Sequence, residues 1–273
     1  MKSAALVLLA GCNAVFGLQR TELPPPDAAA VCPPIGQTPV FSTTLRQAVV
    51  QSCTGYNISP DRGIAIASCP TYTAGFNSTP AGIGPIDGEL ARLVLQPTGA
   101  YTRIVDYRIS PEGDEIFVQQ DTDTPGGPSV FSVYARNADD TWSWEQDLPI
   151  PAVGALSTPS RGPARHLIVS QAADGMVHEY VRDGASWNEV LPPYSASDLG
   201  LNAAELTMSP DGLRAVFETS GSIWYTDRPD LSSRFRHGSV LAGIPQVPDP
   251  FMTDDCARLY FSGLASILYV DQQ

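Results

Sequence analysis

The sequence contains almost no lysine. Lys2 is the only one among 273 residues, and every other basic side chain is an arginine. A chain without lysine beyond its second residue cannot form a lysine Schiff base or supply the lysine of a phosphate-binding P-loop. The formal net charge of -13 argues against binding nucleic acid or an anionic membrane surface through charge. These shortages exclude several function classes without naming one.

Signatures of catalysis and of metal binding are also missing. The sequence has no GxSxG elbow and no CxxC pair, and none of its three histidines, His166, His178 and His237, is close to a cysteine in sequence. We therefore predict no catalytic residue, no metal site and no cofactor, and we expect the histidines to pack on or between strands. Residues 121–127 form an acidic loop, for which a plain hairpin loop and a calcium site are the alternatives.

No apolar run approaches the roughly 20 residues that cross a bilayer. The run at residues 4–10 has the length of a signal-peptide core and is followed by Gly11 and Cys12. Leu9-Ala10-Gly11-Cys12 resembles a bacterial lipobox. The resemblance implies cleavage after residue 11, with residues 1–11 as signal peptide, and attachment of lipid to Cys12. An ordinary secretory signal followed by a chance cysteine is the alternative.

The lipobox resemblance implies a location as well. We expect a lipid-anchored protein of the bacterial cell envelope, periplasmic or cell-surface, that contacts the membrane through its lipid only. Residues 12–37 are rich in proline and alanine and are predicted to be a semi-extended tether between the lipid and the folded domain.

Four cysteines remain when Cys12 is assigned to the lipid. An even number in an exported chain indicates two disulfides. We favour a bond between Cys53 and Cys69, which closes a loop of roughly 17 residues. That bond leaves Cys32 and Cys256 to join the two ends of the chain. Free buried thiols are the alternative.

The sequence is rich in one recurring turn. Its clearest copy is Ser209-Pro210-Asp211-Gly212; the others are Ser110-Pro111-Glu112-Gly113, Ser59-Pro60-Asp61-Arg62-Gly63, Thr158-Pro159-Ser160-Arg161-Gly162 and Thr253-Asp254-Asp255. Proline presets φ in such turns, aspartate or serine caps them, and glycine accepts a positive φ. We therefore interpret these residues as structural, namely Pro60, Pro111, Gly113, Pro159, Pro210, Asp211 and Gly212.

The spacing of the turns predicts the fold. Their second positions, 60, 111, 159, 210 and 254, are 51, 48, 51 and 44 residues apart, and such a period with short strands indicates a propeller. The last unit has only three strands, and residues 39–45 form a strand without partners. We predict an all-β propeller of about five four-stranded blades over residues 38–273, closed by the N-terminal strand in the last blade. Residues 70–89 are predicted to form a surface loop.

The best repeat copy, residues 208–217 with Ile223-Trp224-Tyr225-Thr226-Asp227, resembles the PD40 repeat. This is the WD40-like repeat of the propeller domain in TolB-type periplasmic proteins. Residues 109–118 carry the resemblance less fully, and nothing matches the additional N-terminal domain of TolB itself. The resemblance implies a propeller and leaves the function open, because propellers serve many functions.

We favour a non-enzymatic module that binds or scaffolds an envelope protein or a glycan, which predicts an exposed apolar patch where a protein docks. The first alternative is a glycan-active hydrolase or lyase. It predicts two carboxylates converging in the channel, one with a raised pKa, and the candidates are Asp106, Glu115, Glu205 and Asp249. The second alternative, a small-ligand sensor, predicts a deep and largely apolar channel.

Tryptophans offer one further signal. Trp142 and Trp144 alternate along a predicted strand and should face the same side, and Trp187 has the corresponding place in the next repeat. We expect all three to pack between or over sheets, with stacking on sugar rings as the alternative.

Overall fold

The computed structural model describes residues 32–49, 53–69, 80–122, 124, 127–152, 154–170, 175–200, 206–245, 248–263 and 266–273. Within them the chain is organised as one unit, Val31–Gln273. Cys12, the predicted signal peptide and most of the predicted tether lie outside the described residues. Among those residues, no helix has the length and apolar character needed to cross a membrane.

Five antiparallel sheets form the blades of a β-propeller, which confirms the predicted fold class. Blade 1 contains β2 (Thr54–Ser59), β3 (Ile64–Ser68), β4 (Ala81–Pro85) and β5 (Ala91–Leu93). Blade 2 contains β6 (Arg103–Ile109), β7 (Glu115–Asp121), β8 (Ser129–Arg136) and β9 (Trp142–Asp147). Blade 3 contains β10 (Ala155–Leu156), β11 (His166–Ser170), β12 (Met176–Asp183) and β13 (Ser186–Glu189), with β14 (Tyr194–Ser195) also paired to β12. A short 3₁₀ helix, Ala196–Leu199, follows β14.

The last two blades complete the ring. Blade 4 contains β15 (Leu206–Met208), β16 (Arg214–Thr219), β17 (Ser222–Asp227) and β18 (Ser239–Val240). Blade 5 contains β19 (Phe251–Met252), β20 (Arg258–Ser262), β21 (Ile267–Asp271) and the N-terminal strand β1 (Arg46–Val49). In every blade the first strand after the long connection lies innermost, so five inner strands surround the channel.

The N-terminal strand closes the ring as predicted. Strand β1 pairs antiparallel with β21, with Arg46 opposite Tyr269. The pairing begins earlier as an isolated bridge between Phe41 and Gln272, so the predicted strand at residues 39–45 touches the correct sheet but lies a few residues before the regular ladder. Through this pairing, β1 covers a free edge of β21 and β21 covers a free edge of β1, which removes two exposed sheet edges.

The hydrophobic core is divided among the blade interfaces. Five clusters of buried side chains are present, one between each pair of neighbouring blades. The cluster between blades 5 and 1 includes Tyr56, Phe251 and Tyr260 and is similar in size to the other four. Side-chain packing therefore closes the ring together with strand pairing.

The repeat turns share one hydrogen bond that corrects the alignment of blade 3. In blades 2, 4 and 5 the turn Ser or Thr hydroxyl accepts from the backbone N–H five residues later, at 3.0–3.1 Å. In blade 3 the hydroxyl that does this belongs to Ser160, which accepts from the N–H of His166 at 2.8 Å. The turn of blade 3 therefore starts at Ser160, and Pro159 precedes it instead of occupying its second position. The N–H that bonds the hydroxyl comes six residues later in this turn and five residues later in the others, so this turn is one residue longer.

The structure contains two disulfides, Cys32–Cys256 and Cys53–Cys69, the pairs favoured from the sequence. We call Cys32–Cys256 the seam disulfide, because it ties the N-terminal segment to blade 5. Cys256 has a φ of 58° and is the third residue after Thr253, where Gly212 follows Ser209 with a φ of 71°. A bonded cysteine thus takes a left-handed position that glycine fills in other copies of the repeat.

Two predicted boundaries are wrong. The predicted surface loop at residues 70–89 contains β4, because Ala81 to Pro85 pair with the exposed edge of β3; residues 70–79 lie outside the described residues. The predicted tether also ends earlier than residue 37. The Gly36 N–H donates to Asp227 at 2.5 Å, and the seam disulfide fixes Cys32, so this segment is already attached to blades 4 and 5.

Candidate site in the central channel

One position of the repeat bridges neighbouring blades along the channel. It lies two residues before the turn serine on each inner strand. In blades 1 to 4 it holds Asn57, Arg108, Thr158 and Thr207. These four side chains are all polar and all at least nine-tenths buried. Because buried polar groups are costly without hydrogen bonds, the partners of each one show how the channel wall is built.

Three of these side chains bind the backbone of the next blade. Asn57 donates to the carbonyl of Tyr107 at 3.1 Å and accepts from the N–H of Ile109 at 2.8 Å. Thr158 both donates to the carbonyl of Met208 and accepts from its N–H, at 2.5 and 2.9 Å.

Arg108 makes the corresponding bridge between blades 2 and 3. Its Nε donates to the carbonyl of Leu156 at 3.1 Å. The equivalent of Ile109 and Met208 in blade 3 is Pro159, which has no N–H to donate. A side chain that only donates therefore suits this interface, whereas asparagine and threonine suit interfaces where an N–H must be satisfied.

The bridge is missing between blades 4 and 5. Thr207 is 8% exposed, and its hydroxyl has no hydrogen-bond partner among the residues that the structure describes. The equivalent backbone group belongs to Met252, and no bond from Thr207 reaches it. This interface is also where the repeat period shortens to 44 residues. The interruption leaves a residue with a buried hydroxyl on the lining of the channel.

Asp249 provides the bridge from blade 5 to blade 1 from an unusual conformation. Its φ is 54° and it lies between Pro248 and Pro250, where the residue before a proline normally adopts an extended conformation. One carboxylate oxygen, Oδ2, accepts from the N–H of Gly55 and from the hydroxyl of Ser262, both at 3.0 Å. The other oxygen, Oδ1, has no partner in the described part of the chain. Strained positions of this kind are concentrated at functional sites.

These residues surround one pocket in the channel. It is lined by Gly55, Tyr56, Asn57, Arg108, Thr207 and Asp249, from four of the five blades, and its cavity volume is about 10 Å³. A cavity needs roughly 10–15 Å³ to hold one water. This pocket therefore has room for one small polar group of a ligand and not for a whole molecule.

A second carboxylate lies beside the pocket. Asp106 accepts from Nη1 of Arg108 at 2.5 Å and from the N–H of Tyr107 at 2.8 Å. Burial raises the pKa of Asp106, opposed by Arg108 and by the Tyr107 N–H, and the negative charge of Asp249 raises it further. The channel thus holds two carboxylates near each other, and only Asp106 has a cationic partner among the described residues.

The opposite end of the channel is crossed by an arginine. Arg161, in the turn of blade 3, donates to Asp61 of blade 1 through Nε and Nη2, at 3.2 and 2.7 Å. The same Nη2 lies 3.3 Å from Asp254 of blade 5. Blades 1 and 5 are not neighbours of blade 3 in a five-bladed ring, so the side chain spans the channel mouth. The end of the channel on the side of the repeat turns is therefore bridged by one arginine.

The four carboxylates considered from the sequence have different outcomes. Asp249 lines the channel pocket, and Asp106 lies beside it, paired with the pocket residue Arg108. Glu115 does not, because it is buried between blades 2 and 3, where it accepts from Arg165 at 2.8 Å and from Arg182 at 2.7 Å. Glu205 lies outside the described residues. The sequence prediction placed all four carboxylates on or near inner strands. Glu115 is instead the first residue of β7, the second strand of its blade.

The histidines have packing roles in the structure. His166 is buried and hydrogen-bonds to Glu179 at 2.7 Å, and Glu179 also accepts from the fully buried Arg228. His178 bonds to Glu189, and His237 packs edge-on against a tryptophan. No group of three or more potential metal ligands occurs among the described residues. Part of the acidic loop at residues 121–127 falls outside them, so the calcium alternative there stays untested.

The tryptophans do not share one environment. Trp187 is 6% exposed and meets Phe117 edge-on between blades 2 and 3. Trp142 packs against the cluster between blades 1 and 2. Trp144 is 47% exposed, and its indole donates to Asp147. Trp142 and Trp187 thus pack between sheets, whereas Trp144 lies on the outer strand β9, next to an irregularity in the ladder.

No family model and no curated protein sequence matches the chain. Solved structures share its fold. A gluconolactonase from Xanthomonas campestris has a TM-score of 0.51 at 12% identity, covering 89% of this chain and 98% of that one. The WD40 repeats of RRP9 give 0.48 at 11% identity, covering 87% and 99%. The fucose-specific lectin from Aleuria aurantia gives 0.46 at 12% identity, covering 76% and 69%. At these identities the likeness concerns the propeller fold alone.

The sequence did contain a signal for the channel residues. Asn57, Arg108 and Thr207 all lie two residues before a turn Ser, a position that is reproducible once the turns are aligned. The sequence does not show which of these side chains finds a hydrogen-bond partner in the next blade. That depends on the backbone of a strand about 50 residues further on, and the repeat pattern does not report it.

Proposed function

We propose that the protein is a lipid-anchored binding module of the bacterial cell envelope, and that its channel pocket takes a hydroxyl-bearing group of a glycan. The observation that carries this proposal is a pair of polar groups in the pocket, the Thr207 hydroxyl and Oδ1 of Asp249, which have no partner among the described residues. A sugar hydroxyl can donate to the carboxylate and exchange hydrogen bonds with threonine. The envelope location and the lipid on Cys12 rest on the lipobox resemblance.

The other binding functions find less support. The exposed large apolar side chains among the described residues come from all five blades; they are Val40, Leu45, Val94, Trp144, Val190, Leu231 and Val240. Such scattered residues are normal on a soluble surface and differ from the contiguous patch expected where a protein docks. The polar pocket walls differ from the largely apolar channel expected of a small-ligand sensor.

Titration calorimetry with a panel of mono- and disaccharides tests the binding proposal. Thr207→Val keeps the shape of the side chain and removes its hydroxyl, and it should weaken binding about 2- to 12-fold, from the roughly 0.5–1.5 kcal/mol of a neutral hydrogen bond. Thr44→Val is the matched control, because Thr44 is exposed and outside the pocket. Equal affinities for the two variants, or no saccharide bound at all, would contradict the proposal.

A glycan-active hydrolase is the second candidate, favoured by one specific observation. Asp106 lies beside the pocket that Asp249 lines, close enough for the charge of Asp249 to add to the raised pKa of Asp106, and a raised pKa is what a general acid requires. Assays for release of reducing ends from envelope polysaccharide test this function. An enzyme would lose turnover in Asp106→Asn while still binding saccharide, whereas a binding module shows no turnover in the native protein.

The envelope location has its own test. Cys12→Ala removes the sulfur that would carry the lipid, and the variant should move from the membrane fraction to a soluble fraction. Fractionation of cells that express either form decides this. Retention of the variant at the membrane would mean that something other than a lipid on Cys12 holds the protein there.

A further inference from the structure

The channel pocket carries an unbalanced negative charge, which bears on the kind of group that it accepts if it binds a ligand as proposed above. Asp249 has no arginine or histidine partner among the residues described in the structure, and its bonded oxygen accepts only from neutral donors, Gly55 and Ser262. The nearby carboxylate of Asp106 is already paired with Arg108. The pocket wall therefore presents one carboxylate without a countercharge.

The hydrogen-bonding groups of the pocket favour a donor ligand. Both hydrogens of the Asn57 amide are bonded to backbone carbonyls, of Gly55 and Tyr107, and Nε and Nη1 of Arg108 are bonded as well. Among the described residues that line the pocket, a carboxylate oxygen of Asp249 and the hydroxyl of Thr207 have no hydrogen-bond partner in the described part of the chain. Because a carboxylate only accepts and a hydroxyl can accept, a ligand group with several donors satisfies both.

We infer that the channel pocket binds the protonated amine of a hydroxyl-bearing amine, such as an amino sugar residue whose nitrogen carries no acetyl group. An ammonium group brings three donors and one positive charge, so it can bond Asp249 and Thr207 together and neutralise the open carboxylate. Hydrogen bonds to charged groups are roughly twice as strong as neutral ones.

The charge of the whole protein acts in the same direction. A formal net charge of -13 attracts cations toward the protein and opposes the approach of anionic ligands, and this effect weakens as salt screens the field. An acidic sugar would meet both the overall field and the open carboxylate of Asp249. A neutral sugar would satisfy the hydrogen bonds and leave the charge without a partner.

Calorimetry on the purified full-length protein at neutral pH tests the inference with three probes, glucosamine, N-acetylglucosamine and glucose. We expect glucosamine to bind at least tenfold more tightly than the other two, and we expect this preference to shrink when sodium chloride is raised from 50 to 500 mM. Asp249→Asn should abolish the preference. Asparagine keeps the acceptor for Gly55 and tolerates a positive φ, and unfolding curves of the variant establish that it is folded.

Asp183→Asn is the matched control, since it removes the same unit of charge from an exposed position at the end of β12; it should keep the preference for glucosamine. Equal binding of the three sugars, or an unchanged preference in Asp249→Asn, would overturn the inference and leave the proposed glycan function standing. Ethanolamine is the fourth probe. If it binds in an Asp249-dependent manner while no sugar does, the ammonium site is supported and the glycan proposal fails. If none of the four probes binds, both fail.

Discussion

Removal of the seam disulfide should destabilise the propeller more than removal of the other disulfide. Cys32 and Cys256 are 224 residues apart, whereas Cys53 and Cys69 are 16 apart. In the chain-entropy treatment, a crosslink stabilises by restricting the unfolded chain, and the effect grows with the logarithm of the loop length. The expected losses are about 5 kcal/mol for the seam disulfide and about 3 kcal/mol for the short loop.

Equilibrium unfolding in urea, followed by tryptophan fluorescence, measures both losses. The variants are Cys32→Ala with Cys256→Ala, and Cys53→Ala with Cys69→Ala. With a denaturant dependence of about 2–3 kcal/mol per molar, the midpoints should fall by about 2 M for the seam variant and about 1 M for the other.

Position 256 provides an internal check. Alanine there must hold the φ of 58° that Cys256 adopts, whereas glycine holds it without steric cost. In the background without the seam disulfide, Cys256→Gly should be more stable than Cys256→Ala by about 1 kcal/mol. The reasoning is refuted if the seam variant loses less stability than the Cys53/Cys69 variant, or if glycine at position 256 is the less stable choice.

Three further predictions concern the turns and the buried charges. Gly113→Ala should lower the free energy of unfolding in urea by about 2–4 kcal/mol, and Gly63→Ala by only about 1–2 kcal/mol. Both glycines have a positive φ, but only a Cβ at Gly113 would meet its neighbours, within 2.7 Å. Equal losses would contradict this. The raised pKa of Asp106, from an ordinary 3.8, means that the folded state holds the proton more tightly than the unfolded chain. Its contribution is full below pH 3.8 and is lost as the pH rises through the raised pKa, so Asp106→Asn should flatten this loss in unfolding curves measured at several pH values. An unchanged pH profile would show that Asp106 is not shifted. Glu179→Gln should cost about 3–5 kcal/mol, because Arg228 is fully buried beside it; a loss under 1 kcal/mol would mean that Arg228 finds another partner.

One end of the channel, on the side of the repeat turns, is bridged by Arg161. Arg161 spans the mouth on the side of the repeat turns, with its side chain 39% exposed, so it lies between solvent and the channel. Arg161 therefore restricts access to the channel from the side of the repeat turns. The residues that we interpreted as purely structural turns thus also shape access to the candidate site, through an arginine that follows the turn serine of blade 3.

The sequence alone determined the repeat, and the repeat determined the architecture. Turns such as Ser209-Pro210-Asp211-Gly212 follow local rules, since proline and glycine restrict φ within four residues, and a period near 50 residues fixes the number of blades. The incomplete last unit and the unpaired N-terminal run determined how the ring closes. An even set of cysteines gave both disulfides. Each of these inferences needs only short-range geometry or counting.

Only the tertiary structure decided the site. Whether Thr207 is satisfied depends on the backbone of blade 5, and whether Asp249 faces the channel depends on a left-handed conformation between two prolines. Asp106 and Glu115 look alike in sequence, yet one lies beside the channel pocket and the other is buried between arginines of blade 3. The physical reason is that hydrogen bonding and charge pairing are settled between blades, by groups about 50 or more residues apart, where a local pattern carries no information.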